Sequence, residues 1–295
     1  MKIKSLLIIW LCVLLAGATV TFIVVDRSAK EDMKKRHRES LKVQPAPAEH
    51  GKPPAHVQIP DPPVQIISPA SADTGPKDYE ELDKGLRLYT KQSRIEVDGK
   101  ISVQKGLIEL IATGVDGKDY ESIIVVECRP DMLHSGLLLL GLNDKEKYGG
   151  GGPRWRADNI PPVGDRVKVS IKWKNEKGEE VIYPAEELVY NRRTGLTMAH
   201  AGWVFLGSQF IPEVDPDTGK ITGREIYAAN MQKIIVATLH DPTAIIDTPL
   251  ADGGNDEVFY ANENLLPAPG TAAVLMMEVP TEKEKEEMLK NENGK

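Results

Sequence analysis

Glu121, Glu127 and His134 are the side chains in this sequence whose types and spacing suit acid–base or metal chemistry. A carboxylate accepts a proton at neutral pH, and an imidazole relays one or ligates a metal. Asp131 stands one helical turn before His134, a spacing that could orient the ring. The sharper reading makes His134 a catalytic residue or metal ligand, with Glu121 as its partner. The plainer one makes it a core histidine whose ring is satisfied by a neighbour. Glu121 and Glu127 are not an obvious acid–base pair. His200 and His240 lie far apart in sequence and fit no metal-ligand spacing. Asp215 with Asp217, and Asp252 with Asn255 and Asp256, offer oxygens without the closing Glu of a calcium loop, so turn chemistry explains them. Gly207-Ser208 lacks the rest of a nucleophile elbow. Gly149 to Gly152 lack the Gly-Lys-Ser/Thr ending of a phosphate loop. Two cysteines, Cys12 and Cys128, cannot ligate an iron–sulfur cluster, and Cys128 reads as a small buried hydrophobe. No cofactor and no metal is expected.

The elements that must position these residues run from Leu107 to Leu142. Leu107 to Thr113 and Tyr120 to Glu127 read as strands, the second buried on both faces. A helix starts at Pro130, whose missing N–H costs nothing in a first turn, and ends at Gly141. Met132, Leu133 and Leu137 to Leu140 cover nearly its whole circumference, which predicts burial all round and a fold that fails with an aspartate at Leu138. Asp98-Gly99 between Ile95–Val97 and Ile101–Val103 is a hairpin signal. Val167 to Trp173 with Glu180 to Tyr183 reads as another hairpin. Further strands are expected at Trp203 to Leu206, Ile234 to Leu239, Val258 to Tyr260 and Ala273 to Val279, and Asp215 to Lys220 turns between Phe210-Ile211 and Glu225 to Tyr227. The folded part is thus expected to be mainly β with one buried helix (α+β), over residues 77–280. Residues 281–295 read as a charged flexible tail, frayed or a solvated helix.

The N-terminus has another character. Ser5 to Val25 is free of charge and long enough to span a bilayer, which predicts a transmembrane signal anchor over residues 5–25. Residues 26–42 form a charged stem, and residues 43–76, rich in proline, a disordered stalk. Lysines and arginines are denser after the span than before it, a count that favours a cytoplasmic domain. The signal-like start and the stalk favour the outer side, which is the expectation adopted. The chain carries −7 overall and +5 in residues 1–42, so the remainder carries −12 and nucleic acid is not an expected partner.

The run from Gly117 through Glu121-Ser122 to Pro130, Leu133-His134 and Leu138 to Gly141 resembles the YdjY-like domain of bacterial exported or membrane-anchored proteins. Trp203-Val204-Phe205 with Gly207-Ser208, Asp247 before Pro249, Asn264 before Pro267, and Gly270-Thr271 agree with it. The resemblance covers roughly residues 80–280 and implies no established activity. Family members often carry His just before the Glu of the second strand, where this chain has Tyr120. The function expected is a membrane-tethered interaction or accessory module, held in the membrane by its N-terminal helix and meeting another envelope protein. The alternative is a metal-binding or enzymatic domain using His134 and Glu121.

Overall fold

Strand pairing decides this fold, and the computed structural model describes it for residues 78–143, 162–215 and 217–292. The anchor, stem and stalk, and the glycine run at 149–152, lie outside the described residues. No helix among the described residues is long and apolar enough to cross a membrane.

In chain order the strands are β1 Glu80–Asp83, β2 Leu86–Tyr89, β3 Arg94–Ile101, β4 Leu110–Gly114 and β5 Ser122–Val126. After helix α1, Pro130–Leu139, come β6 Asp165–Lys174, β7 Glu180–Pro184, β8 Val189–Asn191, β9 Trp203–Phe205, β10 Phe210–Val214 and β11 Ile221–Tyr227. Helix α2, Ala228–Gln232, leads to β12 Ile234–Ala237, β13 Ile246–Asp247, β14 Phe259–Ala261 and β15 Ala272–Glu278, and helix α3, Glu282–Glu292, follows. The fold is therefore mainly β with a few helices.

Eight strands close on themselves in the order β3, β15, β6, β9, β13, β12, β4, β5 and back to β3. Neighbours are antiparallel except β4 with β5 and β12 with β13. The barrel is filled by Ile95, Val97, Ile123, Leu275, Met277, Ile171, Trp203 and Phe205, all nearly or fully buried. Two strands serve two partners along one edge. Residues Arg94 to Ile95 and Glu96 to Val97 of β3 pair with β2, and Gly99 to Ile101 pair with β5. On β6, Asp165 to Val167 pair with β9, and Ser170 to Lys174 with β7.

The hairpin expected at Asp98-Gly99 is absent, because β3 runs straight through it. Both residues have other work at the partner switch. Arg87 donates to both Asp98 carboxylate oxygens at 2.8 and 2.6 Å. A Cβ on Gly99 would lie 2.4 Å from the Val125 carbonyl oxygen, so only glycine lets β5 approach. Gly99→Ala is expected to lower stability by ~1–3 kcal/mol through overpacking, read as a lower urea midpoint with an unchanged slope.

Helix α1 corrects the expectation of burial all round. Leu133, Gly136 and Leu137 face the core, and a Cβ on Gly136 would meet Ile95 Cδ1 at 2.8 Å. Leu138 and Leu139 are 42% and 63% exposed on the opposite side. A surface helix buries one stripe, and the close approach at Gly136 fixes which one. The fold also has three helices among its described residues where one was expected. The tail residues form α3, which is docked on the barrel through Met288 and two carboxylates.

Candidate functional site

Glu121, Glu127 and His134 go three ways. Glu127 and Glu121 flank opposite ends of β5. Glu127 is half-exposed and pairs with Lys84 at 2.8 Å. The hydrogen bond and charge of that ammonium hold its carboxyl below the ordinary range.

Glu121 ends a 3-10 turn, Asp119–Glu121, and is buried. The nearby Lys118 ammonium donates to Glu109 Oε2 at 2.7 Å. Burial works to lower the Lys118 pKa, but Glu109, Glu121 and Asp241 outweigh it and leave it raised. Lys118 is thus held as a cation among three carboxylates, which suits electrostatic anchoring and does not suit a neutral amine nucleophile.

His134 is partly buried in α1. Its ring stacks on Tyr227 with centroids 5.4 Å apart and meets Phe205 edge-on at 5.5 Å. Phe210 continues the series onto Tyr227 at 5.4 Å. Asp131 is engaged elsewhere. Its carboxylate takes hydrogen bonds from Arg129, and its own N–H donates to Asn230 Oδ1 at 3.0 Å, tying α1 to α2. Cys128 is buried, and burial together with the Asp83 carboxylate pushes its thiol up to about 12, so it is no thiolate nucleophile at neutral pH. Among the described residues no three His, Cys, Asp or Glu side chains stand as a metal-ligand set.

Sequence spacing missed a different pair. His240 and Asp247 are seven residues apart, and their side chains are 6% and 0% exposed. Asp247 ends β13 opposite Val204 of β9 and Ala237 of β12. His240 Nδ1 lies 3.2 Å from Asp247 Oδ1, and the His240 N–H donates to the Gly253 carbonyl at 2.8 Å. A Cβ on Gly253 would strike the imidazole at 2.7 Å, so the ring lies directly beneath backbone. A carboxylate behind Nδ1 favours the tautomer with its proton there and leaves the lone pair on Nε2. Nε2 is buried with no hydrogen-bond partner among the described residues. The signal in the sequence was Asp247 before Pro249, but nothing in the spacing links it to His240.

Another buried acid sits at Glu186. Burial pushes its pKa up, against the opposing pull of His200 and of the backbone N–H groups of Glu186 and Gly202. The folded state therefore favours the neutral acid. Its contribution to stability is full below the ordinary value of 4.5 and is lost as pH rises through the higher folded value. Glu186→Gln should raise the thermal midpoint at pH 8 and change it little at pH 4. Equal shifts at both pH values would contradict that assignment.

The residues that position these groups coincide with a known domain. No curated protein and no solved structure matches the chain. The YdjY domain, by contrast, matches residues 87–278, from β2 to the end of β15. The match takes in the whole closed barrel, α1 with His134, and the His240–Asp247 pair, and the chain belongs to the YdjY domain family.

Proposed function

We propose that this chain is a membrane-tethered interaction module, anchored by residues 5–25, with its β domain on the outer side and bound to another envelope protein. One observation carries the interaction reading. The hairpin of β10 and β11 forms a two-stranded sheet of its own, and Phe210 and Ile221 on it are 61% and 66% exposed. Val214 lies opposite Ile221, and Phe210 opposite Tyr227, as two apolar cross-strand pairs with a shift of register between them after Pro212. Phe210 packs on the buried Tyr227, whose ring stacks in turn on His134. An isolated two-stranded ribbon is marginal in water, and exposed apolar side chains of this kind mark a surface for association. The alternative, a metal or catalytic site on His134 and Glu121, has less support, since the His134 ring packs against Phe205 and Tyr227 and Glu121 lies beside a lysine.

The test is a photo-crosslinking amino acid at Phe210 of the full chain in intact cells, with the exposed Val115 as control position. The expected result is a discrete heavier adduct from position 210 only, retained in membranes after a carbonate wash. No adduct at 210, or an adduct of twice the chain mass, would overturn the reading of a different envelope partner.

A further inference from the structure

Helix α3 lies beyond the family match, which ends at Glu278, and yet it is fitted to the barrel. A capping box starts it. Glu284 Oε2 accepts from the Thr281 N–H at 2.7 Å, and the Glu284 N–H reaches Thr281 Oγ1 at 3.4 Å. Glu284, Met288 and Glu292 then recur every four residues and so share one helical face. Each has its own seat. Lys168 Nζ on β6 donates to Glu284 Oε1 at 2.8 Å, and the Arg166 guanidinium, also on β6, is bonded to the Glu292 carboxylate. Met288 is buried over Gly202, where a Cβ would lie 2.6 Å from its sulfur. Asn291 Nδ2 adds a hydrogen bond to the His200 carbonyl at 2.9 Å.

The seat lies within the matched residues, and its occupant follows them in the chain. Two cations, an apolar notch and an open carbonyl are arranged for a carboxylate–aliphatic–carboxylate face, on a part of the chain whose net charge outside residues 1–42 is −12. Meanwhile the helix is lightly held. One buried apolar side chain, a partly exposed ion pair at Lys168 and a largely buried one at Arg166 oppose the entropy of ordering its eleven residues, and with so little apolar burial it is among the first segments to open. The lowered pKa of Glu284, about 2, has the same origin in the Lys168 hydrogen bond and the Thr281 N–H.

We propose that this face of β6 and Gly202 is a receptor for an acidic amphipathic helix of a partner protein, and that α3 is its resident competitor within the chain. The inference is independent of the hairpin surface. A tethered helix at high effective concentration excludes a free one until its own contacts are weakened.

The test uses the purified full-length chain carrying Glu284→Lys and Glu292→Lys, and a fluorescein-labelled peptide of residues 280–292. By fluorescence anisotropy the loosened chain should bind the peptide roughly tenfold tighter than the unaltered chain does. Adding Arg166→Ala to the loosened chain should abolish binding. Equal binding to both chains, or none to a loosened chain whose circular dichroism matches the unaltered one, would overturn the proposal. So would dimerisation of the loosened chain by light scattering, which would make a second copy the occupant. Hydrogen exchange on the unaltered chain gives a readout that needs no variant. The α3 amides should exchange before those of β6, and exchange of α3 only with the whole barrel would make it a fixed part of the fold and sink the idea.

Discussion

Leu137→Asp should leave no folded protein, whereas Leu138→Asp, one residue further along the same helix, should fold with a stability change within about 1 kcal/mol. Leu137 is fully buried against the barrel, and Leu138 is substantially exposed. A charge at 137 has no partner in the surrounding apolar cluster, and burying it costs several kcal/mol, a large share of the roughly 5–15 kcal/mol that holds a typical domain together. At 138 the same charge stays in water. Soluble yield and far-ultraviolet circular dichroism of the two variants decide the matter. A folded Leu137→Asp, or a collapsed Leu138→Asp, would mean that α1 presents a different stripe to the core.

The next largest effect is expected at Asp247. Removing its carboxylate by Asp247→Ala leaves the buried His240 ring without its partner and opens a void between β9 and β12. The cost should be about 3 kcal/mol, which for a domain of this size lowers the thermal midpoint by roughly 6–12 °C. His240→Ala should cost less when Asp247 is already gone. A double-mutant cycle is expected to give a coupling of about 1–3 kcal/mol between the two sites. Additive losses would show that the 3.2 Å approach of imidazole and carboxylate contributes nothing, and would return both residues to ordinary packing.

Local pattern made much of this fold readable, where pairing was regular. Alternation marked β6 and β7, and the Asp215 to Lys220 turn marked the hairpin of β10 and β11. Failures came where a residue answers to something remote. Asp98-Gly99 has the composition of a turn, yet it is set by Arg87 on one side and the Val125 carbonyl on the other, neither visible in a short window. Leu138 and Leu139 look like core because α1 is apolar nearly all round, and only the contact of Gly136 with Ile95 tells which stripe is inside. His134 was legible as a residue of interest, and its aromatic neighbours on β9 and β11 were not, since they follow it by 71 and 93 positions. His240 and Asp247 are close in sequence, but a loop must fold back beneath Gly253 before they meet, and no spacing rule describes that path.

The place of β15 between β3 and β6 has a kinetic consequence. This strand, the last among the described residues, lies directly between an early strand and a middle one, pairing Ala272 to Glu278 with Lys100 to Arg94 on one side and Ala273 to Glu278 with Trp173 to Lys168 on the other. Contacts so distant along the chain are slow to form. A polypeptide emerging N-terminus first from a ribosome or a translocation channel holds β3 and β6 with open edges until residue 278 has appeared. Closure therefore waits until β15 has been made, and any product that stops short of β15 exposes two long unpaired strand edges to its neighbours.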